Sequence, residues 1–236
     1  SLGVKGTVGS SNSLVGSAAN DRVGTTVATL KNGNYVVVTP TWNNSLGAVT
    51  WGDGDRGTAG TVNRSNSFVG STPNDRVGSG GITVLSNNNY VVYSPNWSNG
   101  GSASGAGAVT FGNGTSPTTG TVSGDNSLVG SHTNDKVGIG GVTALANGAY
   151  AVVSPLWNTD SAIGVGAVTF GGPTGVTGIV SSSNSLVGGA SNDNVGSGGV
   201  TLLSNGNFVI ASPLWGGLMG AATFCLLYTS DAADDT

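Results

Sequence analysis

The chain has 236 residues, of which 43 are Gly and only 8% are charged. Its formal net charge is −4, and three of the acids lie within the last six residues, so the rest of the chain is close to neutral. This balance excludes nucleic acid and anionic membrane surfaces as expected partners. Cys225 is the only cysteine and has no partner for an intrachain disulfide, and no apolar run approaches the ~18 residues of a membrane helix.

One unit of sequence is written four times. It reads Asn-Ser-(Leu/Phe)-Val-Gly, then Asn-Asp-x-Val-Gly, then an apolar stretch ending in (Ser/Thr)-Pro-x-Trp, then Gly-Ala-(Val/Ala)-Thr. The Asn-Asp pairs begin at residues 20, 74, 134 and 192. A fixed period of this size is typical of a repeat architecture, in which each unit buries its apolar face against its neighbours. We therefore predict that residues 1–224 are four tandem units that form one body.

The two ends of the chain differ in kind. Gly6-Thr7-Val8 matches the interior of a unit at residues 60–62, so we expect the chain to start inside a larger array, with further repeats of a longer parent chain as neighbours. Residues 225–236 resemble nothing upstream and look like translated sequencing-adaptor read-through. We therefore set this tail aside as an artefact.

Each unit predicts short strands in a fixed order. In the fourth unit, residues 199–203 and 208–212 are β-rich runs on either side of Asn205-Gly206, a strong hairpin signal. The equivalent turns lie at residues 32–33, 87–88 and 147–148, and their residue types suit the positive φ of a type I′ turn. Proline ends the second strand. A third strand follows at Gly-Ala-Val-Thr, and a fourth, split by polar residues, at Gly-Thr-Val-x-x-x-Asn-Ser-Leu-Val-Gly.

Four short antiparallel strands per unit predict an all-β fold, a β-propeller-like array of four four-stranded blades. The alternative is a β-solenoid, whose coils usually repeat over fewer residues. An outer strand from the N-terminus could complete the last blade and close a four-bladed ring, and a slice of a larger ring fits equally well.

The recurring tryptophans are the candidate ligand-binding residues. They are Trp42, Trp97, Trp157 and Trp215. Nearly all the length variation between units lies in the loop just after the Trp, and such loops often bind. One interpretation packs each ring between neighbouring units, and strict recurrence favours it. The other stacks the rings on sugars and predicts a carbohydrate-binding propeller that uses these rings and the loops beside them.

Catalytic residue sets are poorly represented. Glu is absent, and His132 is the single histidine, at a position that other units fill with Ala or Thr. The recurring acid is an Asp, which we interpret as an Asx-type cap, with a metal or ligand site as the alternative. Its four copies are Asp21, Asp75, Asp135 and Asp193. We predict no catalytic residue, no metal ligand and no cofactor.

The repeated string Asn-Ser-Leu-Val-Gly, Asn-Asp-x-Val-Gly-x-Gly-Gly-Val-Thr, Asn-Gly-Asn-Tyr-Val-Val-x-Ser-Pro-x-Trp resembles a tandem repeat of unknown function in large, filamentous-haemagglutinin-like bacterial surface proteins. The resemblance covers residues 6–224 and implies secretion and surface adhesion. More distantly, Gly-Ala-Val-Thr-Phe is similar to the FG-GAP blades of integrin-type propellers. Blades of that kind that bind calcium carry carboxylates in the hairpin loop, and none of the four loops here contains an Asp.

These observations together predict a non-enzymatic structural or adhesive module of a secreted bacterial surface protein, with a host or matrix glycan or protein as its partner.

Overall fold

The computed structural model describes residues 5–227, and within them the chain forms short strands joined by turns. In chain order the strands are β1 (Leu14–Val15), β2 (Thr26–Thr29), β3 (Tyr35–Thr39), β4 (Ala48–Gly52), β5 (Gly60–Thr61), β6 (Phe68–Val69), β7 (Gly81–Val84), β8 (Tyr90–Ser94), β9 (Ala108–Gly112), β10 (Gly120–Thr121), β11 (Ser127–Val129), β12 (Val142–Ala144), β13 (Tyr150–Ser154), β14 (Ala167–Gly171), β15 (Gly178–Ile179), β16 (Ser185–Val187), β17 (Gly199–Leu202), β18 (Phe208–Ser212) and β19 (Ala221–Cys225).

Within the described residues, helical structure is confined to single turns. The segments α1 (Trp42–Ser45) and α2 (Trp215–Leu218) each contain three residues of positive φ, so they are tight turns that begin at the Trp of the Pro-x-Trp motif. A 3₁₀ turn spans Ala146–Gly148. Among residues 5–227 no helix has the length and hydrophobicity of a membrane span. The prediction of an all-β fold is confirmed.

The predicted hairpins are present in all four units. The strand pairs β2–β3, β7–β8, β12–β13 and β17–β18 are antiparallel. The turn type differs from the prediction in three of them, where only the third loop residue has a positive φ, as at Gly33 (90°). A three-residue loop with one left-handed position satisfies the strand twist as well as a two-residue loop does. Only the third unit has positive φ at both central residues, Asn147 and Gly148.

Each five-stranded sheet takes strands from three consecutive units, where a unit is counted from the Gly-(Thr/Ile)-Val segment that begins at residue 6, 60, 120 or 178. The first has the order β10-β6-β4-β3-β2 and the second the order β15-β11-β9-β8-β7. Three strands of each sheet, the hairpin and the third strand, come from one unit. The fourth, which we call the junction strand (β1, β6, β11 and β16), comes from the next unit and pairs antiparallel. The fifth, the bridging strand (β5, β10 and β15), comes from the unit after that and pairs parallel with the junction strand.

This staggering changes the predicted blade. The predicted fourth strand is two separate strands in different sheets: its later half, such as β6, pairs antiparallel with β4 as the fourth strand of the sheet, whereas its earlier half, such as β5, pairs parallel with the preceding junction strand. The propeller arrangement is not confirmed. Within residues 5–227, β1 pairs only with β5 and β19 pairs only with β18, so the strand exchange that would close a four-unit ring is not formed.

The core runs through the array because the units share their sheets. One apolar cluster joins Val36 and Val49 of the first unit to Tyr90 and Trp97 of the second. A second cluster joins the second unit to the third, and a third joins the third unit to the fourth. Two parallel strands must be joined by a long crossover connection. The rest of the intervening unit forms this connection between each junction strand and the bridging strand that pairs with it.

Cys225, the first residue of the predicted tail, is the last residue of β19 and pairs with Phe208. Leu226 and Leu227 of the predicted tail are also described, whereas residues 228–236 lie outside the described residues, as do residues 1–4.

Candidate functional site

Three of the four candidate tryptophans are buried. Trp42, Trp97 and Trp157 are 7%, 2% and 5% exposed, and their indole N–H groups have no hydrogen-bond partner. Trp42 packs with Val62 and Val69 of the next unit. Since a sugar needs an open ring face for stacking, the burial of these three rings favours the packing interpretation.

Trp215 is 40% exposed. It occupies the same place in the sequence motif and follows a sheet, β17–β18–β19, that has neither a junction strand nor a bridging strand within the described residues. No further unit packs on this ring within the described residues, so its exposure does not require a different local fold.

The loops that follow the tryptophans form the junctions between units. In the second unit the carbonyl oxygens of Ser104, Gly105 and Ala106 accept hydrogen bonds from the backbone N–H groups of Asn134, Lys136 and Val137, at 2.9–3.1 Å. The third unit repeats the pattern toward the fourth, with Val195 N–H donating to Val165 at 3.1 Å. Part of each variable loop after the Trp is therefore occupied by contacts between repeats.

Each recurring Asp holds two loops of its own unit. One carboxylate oxygen of Asp75 accepts the backbone N–H groups of Ser71 and Thr72 at 2.9 and 2.8 Å, and the other accepts that of Ser98 at 3.0 Å. The same bonds recur at Asp21, Asp135 and Asp193. All four side chains are buried. The geometry is that of the predicted Asx-type cap, extended by a bond to the residue after the Trp.

Hydrogen bonding also sets the acidity of two of these carboxylates. Burial alone raises the pKa of Asp21, but the N–H donors of Asn43, Ala18 and Ser17 stabilise its anion, and the net pKa is below the usual value. The N–H groups of Ala190 and Gly216 lower the pKa of Asp193 in the same way. A carboxylate that accepts several backbone N–H bonds is stabilised in its charged form.

The glycine that closes Asn-Ser-Leu-Val-Gly is explained by this cap. A Cβ on Gly70 would lie 2.4 Å from the carbonyl oxygen of Leu46 and 2.8 Å from the Cβ of Asp75. Gly16, Gly130 and Gly188 meet their own Asp at 2.7–2.8 Å. Glycine is required here because the backbone and the buried Asp approach too closely for any side chain.

Asparagine side chains of the hairpin loops hold the next unit. The Nδ2 groups of Asn32 and Asn34 donate to the carbonyl oxygen of Gly114 at 2.8 and 2.9 Å, and Trp51 Nε1 donates to the same atom at 3.1 Å. Asn87 and Asn89 repeat the contact with Pro173. The sequence predicts plain turns rather than calcium sites at these loops, and their Asn side chains bind protein backbone. No group of metal-binding side chains occurs within residues 5–227.

Two clefts open at the junctions beside the post-Trp loops; the first has a polar lining, and the second includes the apolar side chains Leu156 and Ile163. The first cleft, about 320 Å³ in volume, lies between the second and third units, and its lining residues are Asn74, Arg76, Asn96, Ser104, Gly105, Asn134 and Lys136. The second, about 390 Å³, lies between the third and fourth units, with the lining residues Thr133, Asn134, Leu156, Asn158, Ile163, Gly164, Asn192 and Asn194.

The first cleft carries two basic side chains. Arg76 and Lys136 occupy the same position of the Asn-Asp-x-Val-Gly motif in neighbouring units, and both have positive φ, at 48° and 51°. Lys136 Nζ donates to Asn96 Oδ1 at 3.0 Å. The second cleft has Asn194 in the same place. The sequence does not predict these clefts, and its one signal for them is the recurring position after the Asp.

His132 lies in the loop between β11 and β12, where its side chain is 34% exposed, and it makes contacts that the sequence does not suggest. Its Nε2 lies 2.9 Å from Asp160 Oδ1, and its Nδ1 lies 3.2 Å from Ser131 Oγ. Hydrolytic triads also consist of a His in contact with a Ser and an Asp, but here the Asp160 side chain is fully exposed. A carboxylate in water orients an imidazole weakly, so the arrangement does not build a triad.

The sequence model of one protein family matches five stretches of the chain, residues 1–25, 29–79, 84–139, 144–197 and 202–229. The family is described as a repeat of unknown function (DUF5650).

The chain belongs to this family.

Three DUF5650 matches cover 51–56 residues each, and a shorter one lies at each end. Each match boundary falls inside or beside a hairpin, such as the gap between residues 79 and 84 at the start of β7, so the family's repeat is offset from ours by part of a unit. The family assignment confirms that the chain is a repeat protein, and it is silent on haemagglutinin-like or FG-GAP relatives. Comparison with curated proteins found no match.

Proposed function

We propose that this DUF5650 chain is a non-enzymatic repeat module of a secreted bacterial surface protein, with a structural and adhesive role. The observation that carries the structural part is the junction between units. Backbone N–H to carbonyl bonds, the apolar core and the strand exchange recur at each of the three junctions. In a chain built this way each added unit makes the same contacts with its neighbour, so the array can be lengthened without a change of fold. This property suits a spacer or stalk.

The array that we propose is open and staggered, closer to the β-solenoid alternative than to a propeller ring. The sharing of each five-stranded sheet by three consecutive units supports this proposal. A bridging strand that pairs in the sheet of an earlier unit links neighbouring units along an axis. Small-angle X-ray scattering of the full chain tests this. We expect a distance distribution skewed toward long distances; a symmetric distribution, typical of a compact ring, would contradict it.

The adhesive part rests on the row of clefts. The first cleft exposes amide, hydroxyl and basic groups at a spacing set by the junctions, and none of its lining residues is acidic. Recognition surfaces commonly contain polar side chains that a rigid scaffold holds in place. We expect the partner to be a host or matrix glycan or protein that carries acceptor groups.

Carbohydrate binding is the second candidate function, and the clefts favour it more than the tryptophan rings do. Amide and hydroxyl groups in a cleft of about 320 Å³ suit the hydroxyl groups of one or two sugar rings. The buried rings of Trp97 and Trp157 would act only by fixing the loops around the two clefts, and the ring of Trp42 by fixing the corresponding loop of the first unit.

A glycan array and a cell-retention assay test both candidates on the full chain. The variant combines Arg76→Ala with Lys136→Ala, and the control combines Arg56→Ala with Arg64→Ala, which removes the same charge from exposed loops outside the cleft. We expect the cleft variant to lose at least tenfold in binding and the control to retain it. Retention on cells without any glycan signal would support a protein partner; no retention of the unmodified chain on cells, matrix or glycans would refute adhesion.

A further inference from the structure

The two junction clefts occupy equivalent places in the repeat but differ in chemistry. Their equivalence is set by the backbone, since Asn134 N–H donates to Ser104 in the first and Asn192 N–H donates to Ile163 in the second, each at 2.9 Å. Three lining positions change from the first cleft to the second, Asn96 to Leu156, Ser104 to Ile163 and Lys136 to Asn194. Each change replaces a polar or basic side chain with an apolar or neutral one, so none of the residues that line the second cleft is charged.

The third unit gives the second cleft an apolar side. Leu156 and Ile163 line it and are 43% and 67% exposed. Single exposed apolar residues are common on protein surfaces. These two line the same cleft, so one bound group that covers both would remove more apolar surface from water than either side chain alone offers.

The fourth unit gives the same cleft an amide side. Asn194 Nδ2 donates to the carbonyl oxygen of Pro155 at 2.8 Å, which fixes the side chain, and among the described residues no group donates to its Oδ1. The side chain of Asn192, which also lines the cleft, makes no hydrogen bond with any described residue. The cleft therefore offers a ligand both acceptor and donor groups.

The loop that carries Ile163 is held in place from both units. Asn158 Oδ1 accepts the N–H of Gly164 at 2.8 Å, and Asn158 Nδ2 donates to the buried Asp135 at 2.8 Å. Ile163 N–H donates to Ser191 Oγ of the fourth unit at 3.2 Å. A ligand that enters a preformed cleft does not have to order its walls, so more of the contact energy appears as affinity.

The group that fits this cleft is part apolar and part amide. A hydroxyl group would leave the aliphatic side uncovered, and a purely apolar group would remove water from the amide side without replacing its hydrogen bonds. An acetamido group has a methyl group for the first side and a carbonyl oxygen and an N–H for the second. It carries no charge, as the lining of the cleft requires.

We infer that the second cleft binds the acetamido group of an N-acetylated amino sugar. The cleft volume of about 390 Å³ lies within the range of small-molecule sites. The inference rests on the carbohydrate binding proposed above, and it adds the class of sugar and the cleft that selects it.

Two disaccharides test the inference on the unmodified full chain. N,N′-diacetylchitobiose and cellobiose share one backbone and differ only at the second carbon of each ring, which carries an acetamido group in the former and a hydroxyl group in the latter. In NMR titrations we expect the acetylated sugar to bind about tenfold more tightly, because a methyl group is buried and an amide hydrogen bond forms. Saturation transfer should be strongest at its acetyl methyl protons. Equal affinities, or binding of neither sugar, would overturn the inference.

A double variant tests the assignment to the second cleft. Leu156→Asn with Ile163→Ser gives this cleft polar residues like those of the first, and we expect the preference for the acetylated sugar to disappear. The control is Leu202→Asn with Ile179→Ser, which changes the same residue types at 49% and 53% exposure on β17 and β15, outside the cleft, and should keep the preference. Circular dichroism verifies that both variants fold. An unchanged preference in the cleft variant would overturn the assignment.

The cell-retention assay separates this inference from the proposed function. A chain that is retained on cells but binds the two disaccharides equally would keep its adhesive role and lose the acetamido site. A chain that prefers the acetylated sugar but is not retained on cells or matrix would keep the site and lose the adhesive role.

Discussion

At the scale of single residues, the repeat is organised by one carboxylate per unit. Asp75 is fully buried and accepts three backbone N–H groups, which would otherwise be left without partners inside the protein. The cost of an unsatisfied buried donor, rather than any charge pairing, explains why the position holds Asp in all four units.

Replacement of this carboxylate should be strongly destabilising. We expect Asp75→Ala to lower the free energy of unfolding by about 3 kcal/mol or more, because three N–H groups lose their acceptor. Urea unfolding measures the change. Asp55→Ala is the control, since Asp55 is exposed, and should change stability by less than about 0.5 kcal/mol. Similar values for the two variants would contradict the role of the cap.

The glycine beside the cap gives a steric test. We expect Gly70→Ala to destabilise the chain by about 1–3 kcal/mol, because the new methyl group overlaps the carbonyl oxygen of Leu46. Gly189→Ala is the control, since nothing lies within 4 Å of its Cβ position. Thermal melting of the two variants side by side should show a lower midpoint only for Gly70→Ala.

At the scale of elements, the hairpin and third strand are local, whereas the junction and bridging strands depend on other units. The turn after Pro-x-Trp carries the Trp into the gap between units, where residues of the next junction strand cover it. The same element is therefore buried where another unit packs on it and open where none does.

Two tryptophans at the same motif position should differ in energetic weight. Trp97→Ala removes a ring that is 2% exposed and should cost about 3–5 kcal/mol, whereas Trp215→Ala, at 40% exposure, should cost clearly less. Chemical denaturation followed by far-UV circular dichroism compares them. Equal losses would contradict the link between the burial of each ring and its contribution to stability.

At the scale of the whole molecule, stability is shared along the array and should depend on pH through the caps. The folded-state pKa values of Asp21 and Asp193 are lowered, so these carboxylates bind fewer protons in the folded chain than in the unfolded one at acidic pH. Their stabilising contribution is complete above the unfolded pKa of about 3.9 and is lost as the pH falls through the lower folded pKa.

We therefore expect the urea midpoint to be flat between about pH 5 and pH 7 and to fall below about pH 4. Urea titrations at several pH values measure this. The chain with Asp21→Asn and Asp193→Asn should start from a lower midpoint and show a shallower acid decrease. An equally steep decrease in that variant would assign the acid sensitivity to other groups.

The sequence determined much of the local structure of this DUF5650 chain. Alternation of β-rich runs, Asn-Gly turns and Pro places the hairpins and third strands correctly, because turn chemistry and strand propensity act over a few residues. The recurring Asp was correctly interpreted as a cap, since Asx geometry is also local.

Only the tertiary structure decided how the strands are shared. Gly60–Thr61 and Phe68–Val69 read as one split strand, and they lie in different sheets because the first pairs with β1 and the second with β4 and β10. Strands of two residues are too short to show an alternation of apolar and polar residues. Their pairing depends on which partner buries them and on which partner the connecting loops allow them to contact. The clefts and the exposure of Trp215 result from that pairing, because they depend on which units pack on a motif.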